Sequence, residues 1–297
     1  MLTPNPRQLL QVAVLAIASA AGCASEQLPA ARQPQPLQAT LDLSHFVRAE
    51  RLSVNTDQHQ HFYAELSQEE GVLQLRELAR VSPVEESFVL VHAGRHSVWF
   101  EIGEREGLFR SDPANGIEMV LEELRHARFP SPQISLYHLH TQAVFEEISL
   151  HAPLIDVNLH ARHGMRVSYP PELQLIPSPS DLVMHVKLEE TIRHYATTKP
   201  GATMAGDYVV TPNGIFSVGV QPDLHDYTLL QASISGGFGY TVPSMTRTFA
   251  LALLRAGSDS MQRAQTIGTP ASVDLRLDDV LHYCQELGII IRYQPFH

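Results

Sequence analysis

The sequence has few lysines, few cysteines and no long apolar run, and each scarcity narrows the class of protein. The 297 residues include 21 Lys and Arg against 32 Asp and Glu, for a formal net charge of −11, and only Lys187 and Lys199 are lysines. No dense basic run is present, so a nucleic-acid partner, which needs a basic patch, is not expected. The composition, 44% hydrophobic and 18% charged, is that of a globular chain long enough to bury a real core.

The N-terminal 23 residues differ from the rest of the chain. An uncharged apolar run from Leu9 to Ala21 is too short for a membrane span and is typical of a signal-peptide core. The ending Ser-Ala-Ala-Gly-Cys resembles a bacterial lipobox, with Ala20 where Leu is usual, which implies lipidation of Cys23. We therefore expect a signal peptide over 1–23 and export as a periplasmic or outer-membrane lipoprotein attached through Cys23. The alternative is a cytoplasmic protein with an amphipathic start.

The segment after the leader is expected to be a tether. Residues 24–40 are rich in Gln, Pro and Ala, a composition typical of linkers, and one domain is expected over 41–297. Lipidation of Cys23 would leave Cys284 as the only thiol, so no intrachain disulfide is expected. Cys284 lies in an amphipathic helical pattern and is interpreted as a small core residue.

Hydrophobic periodicity predicts alternating helices and strands. The first helix follows Ser67, which with Glu70 forms a capping-box pattern, and Pro83 ends it. Further helices are predicted for 112–129, 177–196 and 273–288, with Gly288 as a helix stop. Strands are predicted for 87–102 as a pair around a turn near Gly94, for 134–140, for 207–220 as a hairpin turning at Pro-Asn-Gly, and for 289–293. This alternation indicates an α/β or α+β fold around one sheet.

Two histidines at the end of the strand Ile-Ser-Leu-Tyr-His-Leu-His suggest a metal site. Successive side chains of a strand point to opposite faces, so His138 and His140 are expected to share a face. A hydrolytic zinc site needs about three protein ligands plus an open position for water. Asp181, in Pro-Ser-Pro-Ser-Asp at the start of a helix, is the third candidate ligand. Zinc hydrolysis also needs a carboxylate nearby as general base.

These residues, in this order, resemble the JAMM (MPN-type) zinc metallopeptidases over roughly residues 65 to 222. The shared pattern is a carboxylate after the first helix, His-x-His ending a strand and Ser-x-x-Asp opening a helix. The resemblance implies a central mixed sheet flanked by helices in a cytidine-deaminase-like layout. It further implies Zn²⁺ bound by His138, His140 and Asp181, with Ser178 hydrogen-bonding the water or the tetrahedral intermediate. Glu86 would be the general base, and the substrate would be an amide bond of a peptide or protein.

Several features leave alternatives open. Glu85 is the neighbouring candidate for the base, and Glu86 is preferred because it directly precedes the strand. Leu139 stands where the family has Ser or Thr, and Thr141 where it has Pro. The segment 141–177 has 37 residues where the family has seven, and it is expected to pack beside the site as a flap of strand and loop. A catalytically inactive JAMM-like scaffold or binding module is therefore the alternative function.

Single motifs also have plain structural interpretations. Ser-Pro-Ser-Asp is an ordinary capping box, and adjacent glutamates are common in solvated loops. No role is assigned to a second His-x-His or to histidines scattered through the insertion, which are His59, His61, His151, His160 and His163. A serine hydrolase has little support because no Gly-x-Ser-x-Gly elbow is present. The oligomeric state is not indicated.

Overall fold

The computed structural model describes most of the chain beyond the N-terminal 42 residues. The described residues are 43–53, 61–93, 96–102, 104–105, 111–112, 114–126, 131–143, 166–198, 201–234, 243–267 and 272–297. The proposed signal peptide (1–23), its Cys23 and the linker (24–40) lie outside them, and so does most of the insertion. Among the described residues, no helix combines the length and the apolar composition needed to cross a bilayer.

Eight strands form one mixed sheet, as the sequence predicts for the fold class. The strands are β1 (Phe46–Arg48), β2 (His61–Ala64), β3 (Ser87–Ala93), β4 (His96–Glu101), β7 (Gln133–Leu139), β9 (Thr203–Val210), β10 (Gly214–Val220) and β12 (Ile289–Pro295). Their order across the sheet is β1-β2-β4-β3-β7-β9-β10-β12. The pairs β1–β2 and β7–β9 are parallel and the other pairs are antiparallel. Two small ladders lie outside the sheet and pair β5 (Glu104–Arg105) with β6 (Ser111–Asp112) and β8 (Arg166–Ser168) with β11 (Ser272–Asp274).

Helices cover both faces of the sheet. They are α1 (Gln68–Val81), α2 (Ala114–His126), α3 (Pro171–Gln174), α4 (Pro179–Thr198), α5 (Pro222–Ile234), α6 (Pro243–Ile267) and α7 (Leu277–Glu286). The capping box that opens α1 is formed as predicted: Ser67 Oγ accepts from the Glu70 N–H, and the Glu70 carboxylate accepts from the Ser67 N–H. After α7, Gly288 has a φ of +90°, the left-handed conformation expected of a glycine helix stop.

The alternation of side chains along β3 assigns its two faces to different parts of the core. Val89 and Val91 pack in the cluster that contains α2 and α4 residues, whereas Phe88 and Leu90 pack with α1. In β7 the same division holds, with Ile134 and Leu136 on the α4 side and Tyr137 and Leu139 on the α1 side. Even-numbered residues of β7 and odd-numbered residues of β3 therefore face the helix that begins near Asp181.

Candidate metal site

The end of β7 presents the two predicted histidines on one side of the sheet. Their ring centroids are 5.2 Å apart and the rings are nearly perpendicular, at 83°. The His140 N–H donates to the Val210 carbonyl at 3.0 Å, so the pairing with β9 continues one residue past the assigned strand and holds the second ring in place. The prediction that His138 and His140 share a face is confirmed.

Glu85 completes a compact group with these histidines. Ser87 is paired with His138, and the Leu139 N–H donates to the Glu86 carbonyl at 2.9 Å, so the register extends to set Glu85 opposite His140. The Glu85 carboxylate lies 3.4 Å from Nε2 of His138 and 4.0 Å from Nε2 of His140. Glu85, His138 and His140 lie close enough together to bind one metal ion.

The neighbouring Glu86 does not belong to this group, although the sequence analysis preferred it as the base. In the β3 alternation Glu86 shares its side with Phe88 and Leu90, away from the histidines, and its side chain is fully buried. Glu85 shares its side with Ser87, which faces His138. The preference for Glu86 rested on its position directly before the strand, and the geometry favours Glu85 instead.

Asp181 approaches the same histidines from the first turn of α4. Its Oδ2 is 3.3 Å from Nε2 of His140, and its Oδ1 is 4.0 Å from Nε2 of His138. Oδ2 also accepts the Ser178 N–H at 2.6 Å, and the Asp181 N–H donates to Ser178 Oγ at 3.4 Å. Asp181 can therefore be both part of the helix cap and a metal ligand, because the capping hydrogen bonds orient its carboxylate toward the two histidines.

Ser178 lies in this turn, but its hydroxyl has neighbours of its own. Its Oγ is 2.6 Å from the Ser180 Oγ, in addition to accepting the Asp181 N–H. The structure thus brings Ser178 to the start of α4 beside a candidate ligand.

Each histidine has its other ring nitrogen engaged, which is the arrangement of metal-binding histidines. Nδ1 of His140 is 2.9 Å from the Leu175 carbonyl, which can only accept, so Nδ1 carries a proton, and in the neutral ring the lone pair is on Nε2. Nδ1 of His138 is 3.1 Å from Ser87 Oγ. Neither partner was predicted from the sequence. The i, i+2 spacing of Glu85 and Ser87 before an apolar run could have indicated that Ser87 shares a face with Glu85. The Leu175 carbonyl is a main-chain group and leaves no signal in the sequence.

Two of the four nitrogen–oxygen distances in the cluster match the separation of ligand atoms around a small tetrahedral ion. Bonds of about 2.0–2.2 Å at tetrahedral angles separate neighbouring ligand atoms by roughly 3.3–3.6 Å. The distances of 3.3 Å between Asp181 and His140 and of 3.4 Å between Glu85 and His138 fall in this range, and the other two, at 4.0 Å, are longer. Among the described residues, Nε2 of His138 is buried and has no hydrogen-bond partner of ordinary geometry, as expected of a nitrogen that serves as a ligand.

Charge pairing perturbs the pKa values of His138, His140 and Asp181. Burial lowers the pKa of His140, but the hydrogen bond and charge of Asp181, with the charge of Glu85, outweigh burial and raise it to about 9. Burial also lowers the pKa of His138, and the Glu85 carboxylate outweighs it, so that pKa is raised. For Asp181, burial raises the pKa, but His140 holds it well below its ordinary value. Two anionic carboxylates facing two histidines form a site that stabilises positive charge, carried either by protons or by a metal ion.

The described end of the insertion reaches this site. Leu175 follows the short helix α3, and its carbonyl is the His140 partner. The strand predicted over Val157–Val167 lies mostly outside the described residues, and β8 (Arg166–Ser168) overlaps its end.

No family model matches the chain, and neither a curated protein nor a solved structure matches it.

Proposed function

We propose that the protein is a zinc-dependent metallopeptidase or isopeptidase of the JAMM type. In this proposal His138, His140 and Asp181 bind zinc and Glu85 is the general base. The observation that carries it is the convergence of two histidines and two carboxylates from three separate segments of the chain. The donor set supports zinc because imidazole nitrogen with carboxylate oxygen suits a borderline metal, whereas Mg²⁺ and Ca²⁺ prefer oxygen alone.

The division of labour between the two carboxylates follows from how each is held. Asp181 is oriented by the Ser178 N–H at 2.6 Å, which suits a ligand whose direction must be fixed. Glu85 lies two residues before the start of β3 and opposite His140, and its carboxylate is within 4.0 Å of Nε2 of both His138 and His140. A carboxylate so placed can accept a proton at one oxygen and return it to a leaving nitrogen.

Bound zinc would supply a water acidified to a pKa of about 7, so that hydroxide is available at neutral pH. Glu85 would take the proton of that water and deliver it to the amine released from the substrate amide. The Ser178 hydroxyl would hydrogen-bond the oxygen that becomes negative in the tetrahedral intermediate, a donation it can make while its oxygen accepts from the Asp181 N–H.

Metal analysis of the purified protein at neutral pH tests the proposal. We expect close to one equivalent of zinc after reconstitution in the wild type, with near-complete loss in His140→Ala and weakened binding in Asp181→Asn. Asp181→Asn keeps the shape of the cap but removes the charge that the ion requires. A site with three protein ligands should retain zinc, so a zinc content below about a tenth of an equivalent in the reconstituted wild type would overturn the proposal.

A second candidate is a non-catalytic, metal-stabilised scaffold. It is favoured by the compactness of the Glu85, His138 and His140 group, because Glu85 acting as a fourth ligand beside Asp181 would close the site. A closed four-ligand site is structural, whereas a catalytic site keeps one position open. Glu85→Gln distinguishes the two: the hydrolase retains its zinc affinity, and the closed scaffold loses it.

A further inference from the structure

Ser87 is the side chain that meets His138 on the side away from the site. The two residues are directly paired in the antiparallel β3–β7 ladder. Ser87 Oγ lies 3.1 Å from Nδ1 of His138, and Ser87 is 4% exposed. Because the hydroxyl is buried on a central strand, bulk water has little access to take its place.

A neutral imidazole binds metal through the nitrogen that carries no proton, so its other nitrogen must hold the proton. A hydroxyl that accepts from Nδ1–H stabilises the form with a lone pair on Nε2. In His138, Nε2 is the atom that faces Glu85 and Asp181. We infer that Ser87 is a positioning residue that fixes the ring orientation of His138, its hydroxyl accepting Nδ1–H when Nε2 binds the metal ion.

The two histidines differ in what holds them. The partner of His140 is a main-chain carbonyl, which no side-chain substitution removes and which accepts only. The partner of His138 is a side chain, so its support can be deleted without touching a ligand. This inference rests on the proposed function only in assuming that the cluster binds a metal ion. It assigns to Ser87 no contact with substrate.

The experiment measures zinc affinity of the full chain by competition with a chromophoric chelator. Loss of a residue that orients a metal-binding histidine commonly costs 10- to 100-fold in affinity, so Ser87→Ala should weaken zinc binding by about that factor. Ser87→Thr retains the hydroxyl and should bind zinc within a few-fold of wild type. The absorption bands of the cobalt-substituted protein should change in Ser87→Ala, because ring orientation alters the ligand field.

Ser135→Ala is the matched control. Ser135 is also buried, at 7% exposed, but it lies in β7 on the side opposite His138, so its substitution removes one buried hydroxyl without touching the site. We expect wild-type zinc affinity and an unchanged cobalt spectrum. If Ser87→Ala and Ser135→Ala bind zinc equally tightly, the inference is overturned, and this comparison decides even if Ser87→Thr does not fold.

Failure of this inference differs from failure of the proposed function. A wild-type protein that binds zinc with no effect of Ser87→Ala overturns the inference alone. A wild-type protein that binds no zinc overturns both. Zinc binding that depends on Ser87, in a protein that hydrolyses no amide, supports the inference and favours the scaffold.

Discussion

Glu85 and Glu86 are neighbours in the chain, but Glu85 faces the histidines and Glu86 faces α1, so Glu85 is expected to be the general base. We expect Glu85→Gln to keep zinc and lower turnover by about 10²- to 10⁴-fold, the usual contribution of a general base. The substitution preserves shape and removes the oxygen that accepts the proton. Turnover of a peptide substrate and zinc content of the same preparation are the two measurements.

Glu86→Gln is the control for that prediction. Because Glu86 lies on the α1 side of β3, its substitution should change the free energy of unfolding and leave the turnover of folded protein within a few-fold of wild type. Activity lost in Glu86→Gln and kept in Glu85→Gln would reverse our assignment. Activity kept in both would contradict the mechanism.

At the scale of elements, α1 is packed closely against the sheet through a glycine. A Cβ added to Gly71 would lie 2.2 Å from Cε2 of Trp99, whose side chain is completely buried. Glycine to alanine in an open helix would stabilise by about 1 kcal/mol, but overpacking a core costs about 1–3 kcal/mol. We expect Gly71→Ala to lower the free energy of unfolding, measured by urea denaturation.

A double-mutant cycle identifies the cause. If the clash with Trp99 is responsible, Gly71→Ala should cost less in a Trp99→Phe background, where the smaller ring leaves room. Equal costs in the two backgrounds would show that Trp99 is not the obstacle.

A second histidine cluster joins α4 to β9 and α5. Nδ1 of His185 is 3.0 Å from the Asp207 carboxylate, its Nε2 is 3.6 Å from the Glu189 carboxylate, and Nε2 of His225 is 3.5 Å from the same Glu189 oxygen. Burial lowers the pKa of His185, but Asp207 and then Glu189 outweigh it, so the pKa is raised above 6.5. This cluster holds α4, whose first turn carries Asp181, against β9 and α5.

The sign of the pH effect follows from that shift. A histidine whose pKa is raised by folding stabilises fully below the unfolded pKa of about 6.5, and the stabilisation is lost as pH rises through the folded pKa. The difference in free energy of unfolding between wild type and His185→Gln should therefore be largest in acid and shrink above pH 6.5. Urea titrations of both proteins from pH 5.5 to 8.5 measure it. A difference that is constant with pH would contradict the prediction.

The sequence predicted elements best where local chemistry decides them. The apolar face of α2 was predicted from spacing, and its members are buried: Ile117, Val120, Leu121 and Leu124. The α1 cap and the hairpin of β9 and β10 were also correct. The long helix α6 received no assignment. The preference for Glu86 as the base is not supported by the geometry, which favours Glu85. The residues from Phe88 to Val91 are buried on both sides of β3, so the apolar pattern does not show which glutamate faces the histidines.

At the scale of the whole molecule, the candidate site joins segments that are far apart in sequence. Glu85, the β7 histidines and Asp181 meet only after β3, β7 and α4 have assembled, so the unfolded chain offers no comparable site. Zinc at 100 times its dissociation constant should stabilise the fold by about 2.7 kcal/mol. For a domain of this size that is a rise of roughly 5–10 °C in the melting temperature.

Thermal unfolding with zinc or with a chelator measures that effect. His140→Ala should show no zinc-dependent rise, and a reconstituted wild type that melts at the same temperature in both conditions would contradict a site formed only in the folded state.

Two buried glutamates, Glu85 and Glu86, directly precede β3, so the alignment of β3 with β7 depends on side-chain volume more than on charge. A slip of one residue would still bring a carboxylate to the histidines, Glu86 replacing Glu85, but Phe88 would replace Ser87 opposite His138. Polarity gives little penalty against that slip, because all four residues from Phe88 to Val91 are buried. Side-chain size does oppose the slip, because the smaller Val89 and Val91 pack on the α4 side whereas the larger Phe88 and Leu90 pack with Trp99. A larger side chain at Val89 or Val91 would therefore reduce the preference for the native alignment over the slipped one. In the slipped alignment the site would keep a carboxylate, from Glu86, but would have no serine opposite His138.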